Sequence, residues 1–190
     1  MRWIAEQART ASRFLLYLPL TTPHTPLAVN ADWRGRSGIN AYADLLMETD
    51  AAVGHVLEAL QQGGVAGDTF VLFTSDNGCS PFIGVAELEE HGHHPSGQLR
   101  GYKSDAWEGG HRVPLIVRWP GQVAPQRSSH HLVHQADVLA TLADMLGAEL
   151  KPHEGVDSVS LLPLLRGRDT PVRHHAVSTS TRGLPALRNG

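Results

Sequence analysis

One cysteine, Cys79, stands among 190 residues, so no disulfide can form within the chain. No stretch approaches the roughly 18 consecutive apolar residues that suggest a membrane-spanning helix. Cations are scattered: 16 Lys and Arg stand against 19 Asp and Glu, a net charge of −3, with no basic run and no interleaved aromatics. Nucleic-acid binding draws on clustered positive charge, so this balance gives no electrostatic case for it. Internal repeats and low-complexity tracts are missing as well. The opening segment MRWIAEQARTASRFLLYLPL is apolar but short and interrupted, and it lacks a small-residue cleavage site. It reads as a helix end running into a strand rather than a secretory signal.

What is present is a globular composition, 41% hydrophobic and 18% charged, long enough for one domain with a core. RWIAEQAR suits the last turns of a helix, and RFLLYLPL (13–20), ended by a proline, suits a buried strand. TTPHTPLAVNADWRGRSG is rich in turn residues and reads as a loop, with Ser37 placed to cap the next helix. Tyr42, Leu45, Leu46, Thr49, Val53, Val56, Leu57 and Leu60 then recur at helical spacing, and Gly63 and Gly64 end the stripe. DTFVLFTSD has the continuous apolar run of a strand buried on both faces. Residues 77–107 form a long polar loop, and a loop of that length in a compact domain is usually functional. VPLIVRWPG is a further strand, HQADVLATLADMLGAEL an amphipathic helix, and DSVSLLPLLRG holds a helical turn; no element is predicted for the tail. The pattern is α/β, a mostly parallel sheet flanked by helices.

In such sheets ligands gather beyond the carboxyl ends of strands. Asp76 and Asn77 stand at one such end, and Gly78 lets the chain turn away. Carboxylate and side-chain carbonyl oxygens suit a hard cation such as calcium or magnesium. The same tripeptide is common in plain turns, and both readings fit the residues. Cys79 has no feature beside it that would supply a thiolate-stabilising base, so it reads as a small apolar residue. His24 lies in a proline-flanked loop and Lys103 in a glycine-bracketed one. Each alone is an ordinary surface residue. Together with the Asp-Asn pair, on loops expected at one rim, they suit an oxyanion. In HGHHP (91–95) the histidines lack the i, i+4 spacing of a zinc helix and no cysteine joins them, which favours a rim loop whose histidines are incidental or, as His93 and His94, face substrate.

Four blocks, FLLYLPLTTPHTPL, YADLLMETDAAVGHVLEAL, TFVLFTSDNG and LRGYKSDAWEGGHRVPLIVRWPG, resemble in order successive blocks of the arylsulfatase-type sulfatases, members of the alkaline phosphatase superfamily. The resemblance runs over about residues 3–167. It implies an alkaline-phosphatase-like fold and hydrolysis of sulfate esters on a small molecule or glycan. The reaction uses a formylglycine nucleophile made from cysteine or serine, with calcium, or magnesium in some members, holding the sulfate oxygens. By position, Asp76 and Asn77 would be metal ligands, and His24 and Lys103 would contact the sulfate and assist the leaving group. The family often works outside the cytoplasm.

The departures are as informative. The family's nucleophile stands in Cys/Ser-x-Pro/Ala-x-Arg, and no position here meets that pattern: CSPFI at Cys79 has Ile83 where arginine belongs and comes after the Asp-Asn-Gly block. The resemblance therefore implies the middle-to-late part of a catalytic domain, without its nucleophile block and without its C-terminal subdomain, to which residues 168–190 would lead. Such a chain is expected to be inactive alone. A phosphoesterase or phosphonate hydrolase of the same superfamily, or a non-catalytic sulfatase-like binding protein, are the alternatives.

Overall fold

The computed structural model describes residues 1–10 and 12–190, which gather into two compact units. The first comprises Met1–Thr69, Thr74–Lys103 and Trp107–Pro114; the second comprises Phe70–Phe73, Ser104–Ala106 and Leu115–Gly190.

The first unit is helical. Its spine is α2 (Ala41–Gln62), and α1 (Arg2–Gln7) packs against it. Their approach is close: a Cβ on Gly63 would lie 2.8 Å from Cβ of Ala8. The expected stripe supplies the inward face, with Tyr42, Leu45, Thr49 and Leu60 buried. The N-terminal cap is Asn40 rather than Ser37: the Asn40 side chain accepts from the Ala43 N–H at 3.1 Å. Ser37 lies three residues too early, and its hydroxyl accepts instead from the Ile39 N–H, tightening the turn ahead of the helix. Gly63 closes α2 as expected.

The loop expected over 77–107 is interrupted by α3 (Val85–Glu90) and leads into the single turn α4 (Glu108–His111). Six residues are too few to show a helical period, so VAELEE gives no signal by itself. Yet Leu88 is 1% exposed and anchors a cluster with Tyr42 and Ile83, against which Leu27, Ile39, Ala43, Cys79 and Val85 pack. Burying Leu88 contributes about 1.5–3 kcal/mol, enough to hold a short helix that propensity could not.

RFLLYLPL forms no strand. Residues 13–20 carry no strand ladder, and Leu15 and Tyr17 are 76% and 83% exposed. The apolar run predicts burial, but burial needs a paired neighbour, and no described residue provides one.

In the second unit β1 (Val71–Thr74, its last residue belonging to the first unit) pairs with β2 (Leu115–Arg118). Phe73 and Ile116 remain exposed, so the strand expected to be buried on both faces is a four-residue piece of a two-stranded ladder. Beyond α5 (Asp137–Leu146) and the turn α6 (Leu162–Leu165) the tail forms a hairpin. There β3 (His175–Thr179) runs antiparallel to β4 (Pro185–Asn189), with Val177 opposite Leu187. The described residues thus form two two-stranded sheets.

Asp137 organises this unit from the first turn of α5. It is 0% exposed, and its carboxylate accepts the N–H of His134 (2.8 Å) and of Val159 (3.0 Å) and pairs with the Arg173 guanidinium. One turn on, the Thr141 hydroxyl donates to the Asp137 carbonyl and accepts from the Leu161 N–H. Three segments are thereby tied to one helix start.

Candidate active site

The Asp-Asn-Gly turn leaves the end of β1 and lies directly on α4. The Gly78 N–H donates to the Gly110 carbonyl at 2.9 Å, and a Cβ on Gly78 would fall 1.8 Å from the Gly109 oxygen. Glycine is required here by contact with backbone, which cannot yield. Asp76 is exposed, and no described residue hydrogen-bonds or pairs with its carboxylate. Asn77 is half-buried and donates its amide N–H to the Gly78 carbonyl at 3.0 Å, which leaves Oδ1 available. The segment is a turn, with the Asp76 carboxylate and the Asn77 Oδ1 left unengaged by the described residues.

A second loop is laced to the first. The Lys103 N–H donates to the Cys79 carbonyl at 2.8 Å, and the Gly109 N–H donates to the Arg100 carbonyl at 2.8 Å. A Cβ on Gly109 would stand 2.1 Å from the Gly101 oxygen, so this seam also excludes side chains. Residues 76–79, 100–103 and 108–111 therefore form one backbone network. It brings Lys103, half-buried, onto the loop beside Asp76 and Asn77. Next in the chain to Gly110, the Nε2 of His111 is buried without a hydrogen-bond partner among the described residues.

Cys79 serves the packing. It lies on the Tyr42–Ile83–Leu88 cluster with its sulfur 3.6 Å from the Ser96 hydroxyl, and burial pushes its thiol above the ordinary range. A raised thiol is the reverse of what a nucleophile needs.

His24 lies in a loop with cis peptides at Thr22–Pro23 and Thr25–Pro26, and its ring is exposed. Its Nδ1 stands 2.6 Å from the Thr25 carbonyl, which can only accept, so Nδ1 carries the proton and Nε2 is the other functional nitrogen. The Thr49 hydroxyl on α2 hydrogen-bonds the Thr22 hydroxyl at 2.8 Å. Leu27, three residues beyond His24, packs on the same cluster as Cys79. The loops of His24 and Asp76 thus rest on shared apolar ground, while no hydrogen bond joins His24 to Asp76, Asn77 or Lys103 among the described residues.

His93 and His94 are exposed beyond the end of α3, where His94 Nδ1 lies 3.7 Å from Glu89. No group of three or more His, Cys, Asp or Glu side chains is placed to hold a metal ion among the described residues.

Two features escaped the residue pattern. Asp44, which is not part of the apolar stripe of α2, is 5% exposed and accepts the N–H of Gly35 (2.6 Å) and of Ser37 (2.7 Å). Hydrogen bonding, that of Ser37 foremost, holds its carboxyl below the usual range. The Arg100 guanidinium lies over the Trp107 ring, 3.7 Å from its centroid. Glycines and serine packed ahead of a helix are the signal that could have found the first; nothing in the spacing betrays the second.

This arrangement is a sulfatase fold. A solved structure from work on the metabolism of multiple glycosaminoglycans by Bacteroides thetaiotaomicron superposes with a TM-score of 0.89 at 30% identity, over 100% of this chain and 39% of that one. The chain belongs to the sulfatase family, whose sequence profile matches residues 1–148. It is 41% identical to mouse (Mus musculus) steryl-sulfatase over 160 residues, 83% of this chain and 25% of the relative. To bovine (Bos taurus) arylsulfatase A it is 38% identical over 182 residues, 93% of this chain and 34% of the relative. The chain spans about a quarter to a third of the length of these curated relatives.

Proposed function

We propose that this chain is the sulfate-binding portion of a sulfuric ester hydrolase acting on sulfated small molecules or glycans. Its family membership supports the reaction class, and the backbone hydrogen bond from the Lys103 N–H to the Cys79 carbonyl, which ties the Lys103 loop to the segment that follows Asp76 and Asn77, is the observation that supports the site. The donor set fits a hard cation: an unengaged carboxylate and an unengaged amide oxygen, both oxygen ligands of the kind calcium takes. Asp76 and Asn77 would hold calcium, or magnesium, and contribute at most about three of the roughly 6–8 oxygens calcium prefers. Bound there, the ion would withdraw charge from the sulfate oxygens.

The residues of this chain do the rest of the binding. Lys103 places an ammonium against the sulfate from a backbone pinned on both sides, so little ordering remains at the moment of binding. His24, its Nδ1–H committed to Thr25, offers Nε2: as imidazolium it donates a proton to the departing alcohol oxygen, and as imidazole it accepts one. His93 and His94 lie on an exposed loop suited to contacting the alcohol portion.

No residue here stands in the Cys/Ser-x-Pro/Ala-x-Arg pattern, so no formylglycine is expected from this sequence, and the 190 residues alone should turn over no aryl sulfate. The test is calorimetric titration with a monosulfated sugar in calcium buffer, beside a chromogenic aryl sulfate assay. Lys103→Ala and Asp76→Asn should each weaken binding about tenfold, the size of one lost charge-assisted contact. Unchanged binding in both variants would refute the site, and clear turnover by the chain would refute its inactivity.

A further inference from the structure

We propose that Arg100, stacked on Trp107, is a second anion-recognition point, which takes a carboxylate or sulfate on the alcohol portion of the substrate while Lys103 holds the ester sulfate. The proposal rests on the sulfate-binding reading above and extends it to a substrate class, sugars bearing two anionic groups.

The stack uses only one part of the guanidinium. Its central carbon lies over the indole, 3.7 Å from the ring centroid, while among the described residues none of its nitrogens makes a hydrogen bond or ion pair. A guanidinium held over a ring in this way keeps N–H groups for the fork that matches a carboxylate or sulfate edge. Arg100 is exposed and Trp107 is 49% exposed, so the platform is accessible. An arginine of this kind usually loses considerable rotamer freedom on binding; here the indole has already restricted it.

Position makes the pair relevant to the site. Arg100 and Lys103 are three residues apart on one loop, which confines their Cα atoms to within about 11 Å of each other. The loop cannot drift, because the Arg100 carbonyl accepts from Gly109 and the Lys103 N–H donates to Cys79. Two cationic side chains are thus rooted on one rigid segment, their Cα atoms no farther apart than one or two sugar rings can span. The bare part of the Trp107 ring adds apolar surface for the ring between them.

The experiment compares N-acetylgalactosamine carrying one sulfate with the same sugar carrying two, titrated calorimetrically into the chain at fixed ionic strength. The chain should prefer the disulfated sugar by about tenfold. Arg100→Ala should erase that preference while leaving the monosulfated affinity within about twofold; its backbone carbonyl, which holds Gly109, is untouched by the change. Arg100→Lys keeps the charge but not the planar stack and should restore only part of the preference. Lys103→Ala should weaken both sugars alike. A preference that survives Arg100→Ala overturns the proposal and leaves the Lys103 site standing. If the unaltered chain binds neither sugar, the sulfate-binding reading fails and the proposal fails with it.

Discussion

Asp44 and Asp76 are two carboxylates of the first unit with opposite duties. Asp76 is exposed and unengaged, while Asp44 is buried and spends both oxygens on backbone N–H groups of the loop 35–37. Because its folded carboxyl lies lower than in the unfolded chain, Asp44 stabilises the fold fully above the ordinary carboxylate range, roughly pH 4, and loses that effect as pH falls through the depressed value. Asp44→Asn should therefore lower the urea midpoint at pH 7 and pH 5, with the gap to the parent chain closing as pH falls below the ordinary carboxylate range. A gap independent of pH would show that shape rather than charge matters there. Asp76 was legible because strand-end position is a local property of sequence. Asp44 was not, since helical periodicity says which face a residue occupies but not that a distant loop will fold over that face.

Among the elements, α2 and α5 were readable and the short pieces were not. Long amphipathic stripes carry enough repeats to fix their own period, whereas α3 and the β3–β4 pair depend on packing and register. The start of α5 gives the sharpest test at this scale. Arg173, its guanidinium hydrogen-bonded to Asp137 and its proton held more tightly for that reason, is the cation that compensates this fully buried carboxylate. Arg173→Met strands a charge in the interior and should cost about 3–5 kcal/mol, read as a lower denaturation midpoint at constant slope. A double variant, Asp137→Leu with Arg173→Met, should recover part of that loss, because it removes the buried charge as well as its partner. Failure to recover would assign the cost to the N–H groups of His134 and Val159 instead.

For the whole molecule, the family was visible in ordered blocks while the sheet was not, because a strand is defined by its neighbours. Residues 13–20 have the composition of a core strand but carry no strand ladder, and Leu18 and Leu20 are 50% and 41% exposed. Unpaired backbone beside exposed leucines promotes association. Replacing Leu15 and Leu18 by lysine should raise the concentration at which the chain stays monodisperse in light scattering, without lowering its helical circular dichroism; no gain in solubility would place the cause elsewhere. Cys79 has a practical consequence of another kind. As the chain's one thiol, partly buried and reluctant to ionise, it should react faster with an alkylating reagent whenever the seam formed by Gly78, Lys103 and Gly109 parts. The speed of labelling is thus a clock for how often these loops breathe, installed at the junction itself and needing no engineered probe.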